Sequence, residues 1–197
     1  MSIVIGLTGP TGSGKSSASK TAATLGFKVV DCDKLARVAV EKETDGLADL
    51  VSVFGSEILN EDGTLNRKEL AKKAFSTKEN TDLLNKTLLP HIAELVKKEI
   101  NTERVLLDAP TLFESGINSM CNATVAVLAD KDIRLDRICK RDSIDKEAAL
   151  LRINAGKTDD FYLNNADFII YNNKNEEDFK KEFCKIICDI KLEKKEN

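Results

Sequence analysis

Short apolar runs alternate with helical stripes along most of the chain. Ile3 to Leu7 is an apolar run soon followed by glycine, the pattern of a strand buried on both faces. Gly9 to Ser16 reads as a loop, and Ser16 to Leu25 as a helix closed by Gly26. Phe27 to Asp31 (FKVVD) predicts a second strand, so the chain opens as strand, loop, helix, strand. Sheet signals return at Arg104 to Asp108, Ala123 to Leu128 and Phe168 to Tyr171. Strands alternating with helices predict a parallel sheet with right-handed crossovers.

Between Lys34 and Ile100 the pattern changes to helical spacing with almost no strand signal. Leu47, Leu50, Val51 and Phe54 fall at i, i+3, i+4 and i+7 on one helical face. Glu61-Asp62-Gly63 marks a turn, and Leu70, Ala71, Ala74 and Phe75 form the next stripe. Pro90 is expected to interrupt a helix that Ile92, Leu95 and Val96 resume. Asp130 to Ala155 reads as a charged helical segment with Arg134, Arg137, Arg141 and Arg152. The stretch from Glu177 to Ile190 reads as a helix whose stripe of Phe179, Phe183, Ile186, Ile187 and Ile190 packs on the core.

Composition narrows the class. The 197 residues suit one α/β domain with small inserts, large enough to fold without disulfide or metal. A net charge of −3 supplies no basic field for nucleic acid or an anionic membrane, so an anionic ligand needs a local site. No apolar run approaches a membrane span, and the start MSIVIGLTG lacks the basic region of a signal peptide; a cytoplasmic protein is expected. Five cysteines without a C-x-x-C pair, beside a single histidine, argue for reduced thiols and against a Cys/His zinc site.

The chemistry is concentrated at Gly9-Pro10-Thr11-Gly12-Ser13-Gly14-Lys15-Ser16, which satisfies G-x-x-x-x-G-K-[ST] at every fixed position. Glycines let backbone N–H groups turn toward phosphates, and the helix that follows adds its positive end. In such a loop Lys15 reaches the outer phosphates of ATP, and the Ser16 hydroxyl takes Mg²⁺. A Ras-like GTPase should carry N-K-x-D, which is missing, and a motor ATPase is normally larger; a kinase fits best. Asp31 and Asp33 close the second strand, where a carboxylate can accept a hydroxyl proton or support the metal. One of the two is expected to serve as a helix cap. The arginines between 130 and 155 suit a lid that closes over phosphates.

At this level of detail the chain resembles the dephospho-CoA kinase family over residues 3 to 173. GLTGPTGSGKSS is similar to the family's GLTGGIGSGKST, and VVDCDKLAR to V-D-A-D-x-x-A-R. FGSEILNEDGTLNRKELAKKAF, VLLDAPTLFESG and ADFIIYNN resemble three further family blocks, and these separate the chain from adenylate, shikimate and uridine kinases. The resemblance implies a P-loop NTPase fold with a five-stranded parallel sheet flanked by helices. It also implies a core of about 1–33, 101–131 and 163–197, a helical substrate-binding insertion at about 34–100 and a lid at about 132–160, all in one domain.

The resemblance further implies transfer from ATP, with Mg²⁺, to the ribose 3′-hydroxyl of dephospho-CoA. Lys15, Asp33 and Arg141 are the implied catalytic residues, with Asp33 as base and Arg141 as the lid arginine. Thr11, Gly12, Ser13, Gly14, Lys15, Ser16, Ser17, Arg137 and Asn172 are the implied nucleotide contacts, and Ser16 the metal ligand. The expected partner is a small molecule, with no nucleic acid or membrane, for a monomer or weak homo-oligomer. The chain departs from the family at Leu89, which takes the place of a histidine, with His91 just past Pro90. It departs also at Thr111, Gly156 and Phe161-Tyr162. Another small-molecule kinase, or an ATP-binding homologue impaired in transfer, remains open at this point.

Overall fold

A computed structural model describes residues 2–193 of the chain. The outermost residues of the expected core, Met1 and 194–197, lie outside the described residues. In chain order the elements are β1 (Ile3–Thr8), α1 (Lys15–Thr24), β2 (Lys28–Asp31), α2 (Cys32–Val38) and α3 (Asp45–Phe54). Next come α4 (Arg67–Ala74), α5 (Lys78–Glu99), β3 (Arg104–Asp108), β4 (Ala123–Leu128) and α6 (Lys131–Asp142). The chain continues through α7 (Lys146–Asn154), α8 (Asp159–Asn165), β5 (Phe168–Tyr171) and α9 (Glu176–Glu193).

The five strands form one sheet in the order β2-β3-β1-β4-β5. Parallel pairing joins β1 to β3 and β4, and β4 to β5. Because β1 lies at the centre, both its faces are covered, which is why its sequence is a continuous apolar run rather than an alternating one. Ile5 and Leu7 are fully buried, and every residue of β4 is buried. Helix α9 presents Phe179 and Phe183, stacked at 6.2 Å, to the cluster that holds Ile5, Leu7 and the small α1 residues Ala18 and Ala22. Truncating either phenylalanine to alanine there should cost about 3–5 kcal/mol. The expected packing of this helix against the core is what the structure contains.

Two compact units can be distinguished, one comprising the chain up to Val30 and from Thr102 onward, the other Asp31–Asn101. The second is helical. Leu50, Phe54, Ile58, Leu70 and Ala74 form its core, and side-chain caps from Asp31, Thr44, Asn66 and Thr77 fix the starts of α2, α3, α4 and α5.

Three readings of the pattern are corrected. Helix α5 runs unbroken through Pro90. The missing N–H leaves only the Lys86 carbonyl without its i+4 donor, and both residues face solvent, so that carbonyl is open to water. Phe75 lies past the end of α4 and is 66% exposed, because Leu70 and Ala74 already fill the stripe. The segment 130–155 is two helices, parted where Ser143 adopts a left-handed φ of 53°.

Candidate active site

The loop between β1 and α1 emerges at the carboxyl edge of the sheet, where parallel strands place their ligands. Its terminal glycine, Gly14, has a φ of 100° and is the N-cap of α1. No side chain caps that end, and no acidic residue stands in the first turn. Helices α2, α3, α4, α5 and α7 are capped by an Asp, Asn or Thr side chain, and α6 and α8, which are not, carry aspartates in their first turns; α1 has neither, which leaves its N-terminal dipole for something else. Lys15 arches back over the loop, its Nζ donating to the Gly9 carbonyl at 2.7 Å. The Ser13 hydroxyl is buried without a hydrogen-bond partner among the described residues. Ser16 lies exposed in the first turn of α1, with Ser17 half-buried beside it.

The back of the loop is held by its carbonyls. Arg134 Nε donates to Thr11 O at 3.0 Å. Arg137 Nη1 donates to Ser13 O at 3.2 Å and reaches Gly12 O at 3.5 Å. Asn172, just after β5, donates through Nδ2 to Ser13 O at 2.9 Å, and its own carbonyl accepts from Arg137 Nη2 at 2.9 Å. The structure therefore brings Gly12, Ser13, Arg137 and Asn172 into one network, with Thr11 held beside it by Arg134 and Gly14 packed against Asn172. Burial depresses the Arg137 guanidinium below its ordinary value. Burial lowers Arg134 as well, against an opposing effect of the Asp159 carboxylate.

Arg141 is placed differently. Its Nε and Nη2 grip the Asp142 carboxylate at 2.7 and 2.8 Å, and Arg152 joins the same carboxylate. The Asp142 bond holds Arg141 above its ordinary value, and the Arg141 bond holds Asp142 below the usual carboxylate range. Of the aspartate pair after β2, Asp31 is the cap, accepting from Lys34 N at 2.9 Å. Asp33 stands exposed in the first turn of α2, within the Asp31–Asn101 unit. The sequence reading misses one residue of the site and gives another a different place. Asp108 ends β3 in register with Leu7 of β1 and accepts from the Ser19 hydroxyl at 2.7 Å. An apolar strand ending in aspartate was the available signal. The sequence reading counts Arg134 only among the lid arginines, and its bond to the Thr11 carbonyl leaves no signal in the sequence.

Comparison with known proteins decides what this arrangement belongs to. The profile of the dephospho-CoA kinase family matches residues 3–178. The chain belongs to the dephospho-CoA kinase family. It is 41% identical over 191 residues to the dephospho-CoA kinase of Fusobacterium nucleatum, covering 94% of this chain and 98% of that one. The dephospho-CoA kinase structure from Campylobacter jejuni superposes with a TM-score of 0.66 at 27% identity, over 96% of this chain and 98% of that one. A crystal structure of a Thermus thermophilus protein reaches 0.77, also at 27% identity, over 95% and 97%. The protein is thus a kinase with the P-loop fold its sequence predicts.

As a member of the dephospho-CoA kinase family, the chain rebuilds its departures into packing. Phe161 meets Phe113 edge-on at 6.0 Å and Tyr162 at 5.3 Å, and Tyr162 is 4% exposed. Burial, with the Glu114 carboxylate adding to it, raises the Tyr162 hydroxyl to about 12. His91 Nε2 pairs with Asp49 Oδ2 at 2.7 Å. The Asp31–Asn101 unit also holds an open cavity of about 280 Å³, whose lining includes Val38, Thr44, Gly46, His91, Leu95 and Lys98. Among the described residues no helix is long and apolar enough to cross a membrane.

Proposed function

We propose that this member of the dephospho-CoA kinase family transfers the γ-phosphoryl of ATP to the ribose 3′-hydroxyl of dephospho-CoA, giving coenzyme A and ADP. The observation that carries the reading is the uncapped start of α1 beneath the glycine loop. That end is built for polyphosphate: backbone donors, a helix dipole and a lysine converge on it. Gly12 and Gly14 offer backbone donors and Ser17 a side-chain hydroxyl, its N–H being taken by the Gly14 carbonyl at 3.0 Å; Lys15 offsets charge on the outer phosphates, and Arg137 adds a cation at the loop's back.

The donor set also fits Mg²⁺ bound together with ATP. Ser16 supplies a hydroxyl oxygen and Asp108 a carboxylate at the adjoining strand end, both hard ligands suited to a cation that keeps several waters. When bound, the ion neutralises negative charge on the phosphate oxygens. Asp33 accepts the 3′-hydroxyl proton as that oxygen bonds to the γ-phosphorus and the bond to the β–γ bridging oxygen breaks. Arg141 stabilises charge on the group in transit. The cavity lined by Thr44, His91 and Lys98 takes part of the acceptor. Proximity and charge do most of the work, because two polyanions must meet. The chain's net charge of −3 offers no basic field for a nucleic-acid acceptor and so favours a small molecule; a cytoplasmic monomer or weak homo-oligomer is part of the same proposal.

Purified protein mixed with Mg-ATP and dephospho-CoA should yield coenzyme A by mass spectrometry, and Lys15→Ala should not. ATP binding without coenzyme A would overturn the acceptor and leave the nucleotide site standing.

A further inference from the structure

Arg134 keeps only 5% of its surface exposed, an unusual depth for a guanidinium. The transfer chemistry above makes no use of it. Its Nε–H donates to the Thr11 carbonyl at 3.0 Å, and Nη1 reaches Asp159 Oδ1 at 3.4 Å. Nη2 is buried with no hydrogen-bond partner among the described residues. The loop also rests on the backbone of the same residue: a Cβ on Gly12 would come within 2.9 Å of the Arg134 carbonyl and 3.0 Å of Ile138 Cγ1.

The direction of the Thr11 bond matters. In a trans peptide the C=O and N–H of one unit point opposite ways. Holding the Thr11 carbonyl toward α6 therefore turns the Gly12 N–H away from α6. Arg137 and Asn172 do the same to the Ser13–Gly14 peptide by taking the Ser13 carbonyl. An unanchored loop rich in glycine would sample both orientations of each peptide.

We infer that Arg134 is a positioning residue of the nucleotide site: its guanidinium fixes the Thr11 peptide so that the Gly12 N–H faces the phosphates, and its Asp159 contact ties the loop to the first turn of α8. This deepens the kinase reading and rests on it for the identity of the nucleotide. Arg134 touches no phosphate in this role. It acts on the loop through the Thr11 carbonyl, and Asp159 both anchors it to α8 and offsets part of its buried charge.

The test uses the fact that a glutamine amide nitrogen falls at the position of an arginine Nε. Arg134→Gln keeps a donor for Thr11 O, whereas Arg134→Met has the same length and none. ATP affinity is measured by calorimetry on the full chain without any acceptor, so an error in the acceptor leaves the result intact. Arg134→Met should weaken ATP about tenfold, the scale of one hydrogen bond to a charged donor, with Arg134→Gln recovering most of the loss. The KM for dephospho-CoA should stay level in both. Hydrogen exchange across residues 9–14 should quicken in Arg134→Met and return toward the parent rate in Arg134→Gln. If Arg134→Met does not fold, the comparison is read on Arg134→Lys, which keeps the cation but lacks a donor at the Nε position. Equal ATP affinity in the variants with and without that donor, at whatever level, overturns the inference.

Discussion

A Cβ on Gly14 would lie 2.0 Å from Nδ2 of Asn172. The amide that holds the Ser13 carbonyl thus occupies the space a side chain at position 14 would need, and the φ of 100° excludes one on steric grounds as well. The Gly14→Ala variant should lose about 1–3 kcal/mol of stability and bind ATP at least tenfold more weakly. Adding Asn172→Gly removes the collision but leaves the backbone strain and takes away the amide that holds the Ser13 carbonyl, so the double variant should recover part of the stability at most and none of the ATP affinity. Thermal melts and calorimetry on the single and double variants check this; full recovery would mean that φ at position 14 is immaterial.

Asp33→Asn should leave ATP affinity near that of the parent and cut kcat by about a hundredfold or more, the range expected for a general base. Asp31→Ala should instead lower thermal stability by about 1 kcal/mol, because Asp31 caps α2. Turnover assays with separate KM values for each substrate distinguish the two roles. A loss of ATP binding in Asp33→Asn would make Asp33 a metal or structural group.

Alkaline pH should destabilise the protein through Cys121. Burial, aided by the Asp167 carboxylate, pushes its thiol from 9.0 to about 12. Between those values the unfolded thiol gives up its proton while the folded one keeps it, so stability falls as pH rises from about 9 toward 12. The buried Tyr162 hydroxyl acts in the same sense above pH 10. Melts from pH 8 to 11 should show a shallower decline for Cys121→Ala than for the parent. Parallel declines would exclude the thiol as a source.

Pro90→Ala should stabilise the Asp31–Asn101 unit by about 1–3 kcal/mol, since it restores a donor to the Lys86 carbonyl and removes the ring's contact with the preceding turn. A denaturant titration is the measurement; a lower midpoint would show that the ring itself packs usefully.

The glycine loop and the strands around it were legible because their signals are local. Fixed spacing of glycine, lysine and serine specifies the loop, and continuous apolar runs specify β1, β3 and β4. Pro90 misled because propensity is a local cost, whereas α5 is retained by the burial of Ile92 and Val96, which lie beyond it. Phe75 misled because spacing cannot tell where a stripe ends. Arg134 is grouped with the lid arginines because a buried arginine and a solvated one look alike in sequence, and only the Thr11 carbonyl opposite it reveals the difference. Asn172 was reached through family resemblance, yet its bond to Ser13 spans 159 positions, beyond the range of any local pattern.

The packing of Phe179 and Phe183 beside Ala18 and Ala22 has a consequence for how the protein is made. The phosphate loop is synthesised before β3, β4 and α9, so the strand beneath it lacks its sheet neighbours and its covering helix until those later segments follow. A nascent chain stalled before Phe179 would carry every residue of the loop and none of the aromatic pair that seals its foundation. Nucleotide competence therefore waits on α9, although the loop that defines it is made long before that helix.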